Sequence, residues 1–334
     1  MKTKNIINCC WLIAAGTMAL TAITSCEKNF YDEEQYRKEV YIVSGDENIF
    51  GQEYAFGKES VGYISIYVGG TTPIEEDVDV ELELYPQALR SYNQRIYGEN
   101  YASYVQQLAP ENYVIENWKV TISKDNPKPF VMLPIKVNVS NLIDGEEYYI
   151  PLRIKSVSNY MISPTRRVVL FRIYVKNDYA TSKSNSYYNM AGLEQIYSES
   201  SGVFTPDAPG TGMNSTKLLK PSGETSVRMM PGSLVSANEV DERNKNIVLT
   251  VHPDEIVDVP VLNEGIPTGQ YLKRQKVTVA SWDYSSSSVV VADIEGEQSY
   301  YDSETQTFTI NYRYRLSTEK KWHFMYEVLS PLKQ

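Results

Sequence analysis

Val78-Asp-Val-Glu-Leu-Glu-Leu84 sorts its side chains two residues at a time, apolar to one side and acidic to the other. A helix would spread these positions around its circumference, whereas a strand half buried in a sheet separates them. The pattern returns in Phe308, Ile310, Tyr312, Tyr314 and Leu316, which interleave with Thr307, Thr309, Asn311, Arg313 and Arg315, and again in Trp322, Phe324, Tyr326 and Val328. One dry face and one wet face is the habit of antiparallel sheets. The chain is therefore expected to be all-β, with its sheets stacked or closed to protect their edges.

The 334 residues allow two domains with cores of their own, at roughly 100–200 residues each. In the first, residues 37–178, strands are expected at Glu39–Ser44, Val61–Val68, Val78–Leu84, Trp118–Ser123, Phe130–Val139, Tyr148–Val157 and Val168–Val175, with turns at Gly69-Gly70, Asp125-Asn-Pro127 and Asp144-Gly145. Short strands in this number close most naturally as a β-sandwich. Pro86–Pro110 breaks the rhythm, because Leu89, Tyr92, Ile96, Tyr101, Tyr104, Val105 and Leu108 recur at spacings of three and four. Two short helices divided near Gly98 are expected there. Their tyrosines could form a ligand face, although the buried side of a packed helix is the commoner use of such a stripe. Residues 179–186 are polar and read as a linker. In the second domain, residues 187–334, Gly202–Pro231 is rich in proline and glycine and reads as loop. Strands are expected at Ile247–His252, Gln275–Ala280, Ser288–Ile294, Gln306–Leu316 and Trp322–Leu329. Consecutive antiparallel strands close as a sandwich or as an up-and-down barrel.

Residues 1–25 read as a signal peptide. Lys2 and Lys4 give a positive start, and Cys9–Ile23 is mostly apolar but shorter than the about 20 residues that span a bilayer. Ile23-Thr-Ser-Cys26 then has the form of a relaxed lipobox, the site at which bacteria lipidate a cysteine and cleave ahead of it. Cys9, Cys10 and Cys26 are the only cysteines, so Cys26 would be the sole thiol of the mature chain, with anchoring rather than pairing as its use. A membrane attachment through acyl chains on Cys26 is expected, followed by a polar tether over residues 26–36. Glu27, Asp32, Glu33 and Glu34 resemble the surface-export signal of Bacteroidota lipoproteins, which implies an outer-membrane protein facing outward.

Two longer stretches carry a resemblance. Leu108-Ala-Pro-Glu-Asn-Tyr113, Trp118-Lys-Val-Thr-Ile122 and Asn141-Leu-Ile-Asp-Gly-Glu-Glu-Tyr-Tyr-Ile-Pro-Leu-Arg153 are similar to an immunoglobulin-like N-terminal adaptor of Bacteroidota outer-membrane lipoproteins, found ahead of family 18 glycosidases in some chains. Tyr187-Tyr-Asn-Met190, Ile247-Val-Leu-Thr-Val251, Ser299-Tyr-Tyr-Asp302 and Gln306–Tyr314 resemble a lipocalin-like C-terminal domain of unknown function. Together these imply an accessory surface glycan-binding protein of a polysaccharide-utilisation system, which captures oligosaccharide and passes it to a TonB-dependent importer.

The residues themselves say less about chemistry. The formal charge is −10, or −12 once Lys2 and Lys4 are removed with the leader, and no basic cluster stands out, which argues against nucleic acid as a partner. With two histidines, His252 and His323, and no cysteine beyond Cys26, no zinc-ligand spacing appears. Neither a nucleophile elbow nor a phosphate-cradling glycine loop is present. No cofactor, metal or catalytic residue is assigned, and the chain is expected not to be an enzyme. Tyrosine is the outlying number, 27 residues, all beyond the leader. Aromatic faces bind sugar rings, with nearby polar groups reading the hydroxyls. Trp282, Asp283 and Tyr284, just before a serine run, are the expected exposed platform, with Tyr300 and Tyr301 as the second. Two alternatives stay open: a structural or adhesion role in fimbriae, and a glycan-active enzyme with an unrecognised site.

Overall fold

The computed structural model describes residues 33–236, 239–282 and 287–332. The lipidation candidate Cys26 and the platform candidates Asp283 and Tyr284 lie outside them. As expected from the alternation, the chain is built almost wholly from strands. Those of the first domain are β1 (Glu39–Ile42), β2 (Ile49–Ala55), β3 (Ser60–Val68), β4 (Val78–Leu84), β5 (Gln106–Gln107), β6 (Tyr113–Val114), β7 (Lys119–Ile122), β8 (Phe130–Val137), β9 (Tyr148–Val157), β10 (Met161–Ile162) and β11 (Val168–Lys176). They form two sheets, in the orders β10-β1-β3-β8-β6 and β2-β11-β9-β4-β7. Ile64, Ile66, Leu133 and Ile135 of one sheet and Val80, Leu82, Leu152 and Phe171 of the other share one core, so the domain is a sandwich. Strand β2 was hidden in the sequence because Gly51 interrupts its pattern. A Cβ at Gly51 would stand 2.3 Å from the Tyr174 ring, so a side chain is absent there to admit that of the neighbouring strand.

Only one α-helix occupies the expected helical insertion, α1 (Pro86–Tyr97). Pro86 opens it where a missing N–H costs nothing, and the Gly98 N–H closes it on Gln94 O at 3.0 Å. The residues beyond fold back as a short 3-10 turn at Tyr101–Ser103 and are clasped to the helix by Asn93. Its buried amide donates to Val105 O at 2.9 Å and accepts from Val105 N–H at 3.1 Å.

The second domain comprises β12 (Ser186–Ser200), β13 (Val203–Pro206), β14 (Thr211–Pro221), β15 (Ser226–Met229), a short helix α2 (Glu239–Lys245), β16 (Ile247–Asn263), β17 (Ile266–Ser281), β18 (Val289–Asp293), β19 (Tyr300–Asp302), β20 (Thr307–Leu316) and β21 (Lys321–Pro331). Hydrogen-bonded pairing runs β12-β14-β15-β16-β17-β19-β20-β21, and β21 pairs back to β12. Of the two closures the sequence allowed, the chain takes the up-and-down barrel, all antiparallel, with β18 following β19 along one edge of β20 and β13 following β14 along one edge of β12. Gly202–Pro231 is not loop: β13, β14 and β15 lie within it. The residues between the domains are packed as well. Asn177 Nδ2 donates to Gly223 O and Ser226 O at 2.8 Å each, and Thr181 Oγ1 donates to Glu53 at 2.6 Å.

The last strand faces opposite to the reading of its sequence. Met325, Glu327 and Leu329 point into the barrel beside Phe308, Ile310 and Tyr312. Trp322 and Phe324 lie on the outer side, covered by Phe204 of β13, Tyr197 and Ile294. The barrel interior therefore holds titratable side chains. Glu327 is 0% exposed and accepts from the Tyr312 hydroxyl at 3.1 Å, while its second oxygen has no hydrogen-bond partner. Lys217, 5% exposed, donates to Met230 O at 2.9 Å and to Gly232 O. Burial pushes the Glu327 carboxyl up and the Lys217 amine down from their ordinary values, each partly countered by the other's charge. His323 is half-buried, stacks on Tyr314 at 4.9 Å and meets Glu194 at 2.7 Å.

Candidate functional site

Of the two expected platforms, the described members Trp282, Tyr300 and Tyr301 are not exposed as a surface. Trp282 is 5% exposed. Its indole is covered on one side by the Arg228 guanidinium, 4.3 Å from the ring centroid, and on another by the Asp144-Gly145 turn of the sandwich. Gly145 sits at φ +86°, and a Cβ there would stand 2.9 Å from Trp282 Cη2. Tyr301, 6% exposed, belongs to the barrel core, with Phe308 at 4.6 Å and Tyr179 at 5.0 Å. Tyr300, the neighbour on the opposite face of β19, is half-buried.

Trp282 is thus a contact between domains. Asp144 accepts from Arg228 Nε at 3.1 Å and from the Ser222 hydroxyl, and Arg243 of α2 meets Glu146 at 3.3 Å. Replacing Gly145 by valine would force a left-handed backbone, costing roughly 1–2 kcal/mol, and would push against the indole. A Gly145→Val variant is expected to unfold at lower urea concentration, with a second, earlier transition as the domains separate; a single unchanged transition would count against this contact.

Beside that contact the two domains enclose a cleft of about 230 Å³. Pockets that engulf a whole drug-sized ligand hold roughly 300–1,000 Å³, so this one suits a short or terminal segment. The clasp of Asn93 sets one wall, where Tyr97 and Tyr104 line the opening with ring centroids 6.3 Å apart. The Tyr104 hydroxyl donates to Gly98 O at 2.7 Å, and Tyr101, 68% exposed, extends the aromatic strip at 5.2 Å from Tyr104. The sandwich floor supplies Arg172 of β11. It pairs with Glu147 at 2.6 Å and lies over the Tyr174 ring at 4.7 Å. Burial pushes the Tyr149 phenol beneath it upward, so that group stays neutral. The barrel contributes Lys220, which pairs with Glu242 at 2.5 Å, together with Arg228 and Arg243. Sequence reading noted the spacing of the tyrosines around Pro86–Pro110 but could not tell which of them a ligand would meet. Arg172 and Arg243 gave no signal, because their partners lie in other elements.

His252 accepts or donates at Thr278 Oγ1, 2.9 Å away, and faces Glu255; it lies apart from the cleft lining.

Residues 36–161 match a family model for an N-terminal domain, and residues 167–330 match one for a C-terminal domain. No curated protein matches the sequence. Solved structures of similar fold come from Bacteroides. One, a protein of unknown function from Bacteroides ovatus, is 14% identical, with 91% of this chain and 93% of that chain aligned at a TM-score of 0.56. Another, described as an auxiliary nutrient binding protein from Bacteroides thetaiotaomicron, is 14% identical over 85% of this chain and 91% of that one, at a TM-score of 0.54. At such identities the likeness is one of fold.

Proposed function

We propose that this protein is a non-catalytic, lipid-anchored surface protein that captures oligosaccharide through the interdomain cleft. The observation that carries the reading is the cleft itself: tyrosine rings on one wall, and arginine, carboxylate and amide groups on the floor and opposite wall. Rings offer apolar C–H faces a stacking surface, and the polar groups suit hydroxyls. In this reading Cys26 holds the chain to the outer membrane, the sandwich spaces the cleft from the lipid, and the captured chain passes to a TonB-dependent importer. The nutrient-binding relative supports the setting through shared fold alone. A fimbrial role, in which a strand is exchanged between subunits, finds less support, because β1 is paired on both sides and the barrel closes on itself.

The test is a binding screen of the full chain against N-glycans, mucin O-glycans, yeast mannan and plant polysaccharides. A hit should weaken by about tenfold in Tyr97→Ala, the equivalent of about 1.4 kcal/mol, with an unaltered melting profile. Binding that Tyr97→Ala leaves intact, or no binding to any class, would overturn the reading.

A further inference from the structure

Resting on the glycan reading, we infer that the cleft takes an uncharged oligosaccharide and turns away acidic ones. Each cation lining it is already held by a carboxylate. On the sandwich side Arg172 meets Glu147 at 2.6 Å. Across the cleft Arg243 meets Glu146 at 3.3 Å and Lys220 meets Glu242 at 2.5 Å. Arg228 is bound to Asp144 at 3.1 Å and is itself only 8% exposed at its side chain. The four cations and four carboxylates of the lining cancel.

Such a lining has donors and acceptors to spare but no net charge. A guanidinium carries five N–H donors and a carboxylate about four lone-pair sites, so one salt bridge leaves most of both unused. Neighbouring hydroxyls of a neutral sugar can satisfy both members of a pair together, donating to the carboxylate and accepting from the guanidinium. A uronate, sialate or sulfate would have to break a pair and displace its carboxylate. It would then lie beside that carboxylate, where like charges at close range are costly in a half-buried site.

The experiment compares neutral oligosaccharides (manno-, gluco- and N-acetylglucosamine-based) with uronate-containing and sulfated ones by calorimetric titration of the full chain, at low and high salt. The expected result is binding of at least one neutral series that changes less than about twofold between roughly 50 and 500 mM salt, since no net charge is screened. Acidic chains of the same length should bind at least about tenfold more weakly. The Glu147→Gln variant leaves Arg172 without its carboxylate, and it should strengthen the binding of acidic chains several-fold. Tight, salt-sensitive binding of an acidic chain that Tyr97→Ala abolishes would overturn this inference and keep the glycan reading. Failure of acidic binding to rise in Glu147→Gln would overturn charge balance as the cause. Neutral binding indifferent to Tyr97→Ala would remove the cleft, and both readings with it.

Discussion

Trp282→Ala should lower the stability of the protein by about 3–5 kcal/mol, the usual cost of deleting a buried large aromatic, and should do so without the ligand being present. The indole has two contacts to lose, the Arg228 guanidinium above it and the Gly145 backbone against its edge, while the backbone N–H bond from residue 282 to Asn246 O at 3.1 Å is kept by alanine. Because the Gly145 contact and the Arg228 stack belong to the seam between domains, calorimetry should show the transition falling by roughly 10 °C and splitting. Limited proteolysis should cut between residues 177 and 186 in the variant sooner than in the parent. An exposed stacking platform would behave in the opposite way, with stability unchanged and only binding lost. A Trp282→Ala variant with the parent's melting curve would sink the assignment of Trp282 as a structural contact.

The second large effect is expected inside the barrel. Lys217→Met removes the donor to Met230 O and Gly232 O and leaves Glu327 without the cation that offsets its burial. Leaving a buried carboxyl without its offsetting cation and two carbonyls without their donor should cost about 3–5 kcal/mol. The loss should depend on pH, and its sign follows from the carboxyl. Glu327 holds its proton more tightly folded than unfolded, so its contribution is fully present below the unfolded value, about 4.3. That contribution is lost as pH rises through the raised folded value. Without Lys217 the folded value rises further. Denaturant titrations should therefore show the variant closest to the parent near pH 4 and furthest from it near pH 8. Lys217→Met combined with Glu327→Gln should recover the pH-dependent component, leaving only the cost of the two carbonyls. A loss of equal size at both pH values would mean that charge is not the cause.

What could be read from the residues was what depends on near neighbours. Val78–Leu84 and Phe308–Leu316 alternate cleanly, and both fold as strands with the expected faces. Ile49–Ala55 escaped because Gly51 answers to Tyr174 of a paired strand, a contact invisible along the chain. In β21 the alternation was legible but its direction was not. Aromatic residues on even positions looked like core, yet the odd positions, with His323 and Glu327 among them, turn inward. The outer aromatics are covered instead by Phe204 and Tyr197. Trp282 failed for a related reason, since its cover comes from a turn in the other domain. The cleft was half legible: the tyrosine spacing after Pro86 was there, but the Asn93 clasp that aims Tyr104 depends on a single buried amide.

The pairing of β12 with β21 also sets an order of events. Its eleven cross-strand pairs, from Tyr188 with Pro331 to Ser198 with Lys321, join the first strand of the barrel to its last. A chain emerging N-terminus first can complete the sandwich at β11, but every barrel strand through β20 must wait, with two open edges, for Lys321–Pro331 to arrive. Until then the exposed edges invite pairing with another chain. Contacts of such long sequence separation are slow to form. A chain stopped before residue 321 should therefore yield a finished sandwich carrying an unclosed and aggregation-prone sheet, rather than a smaller barrel.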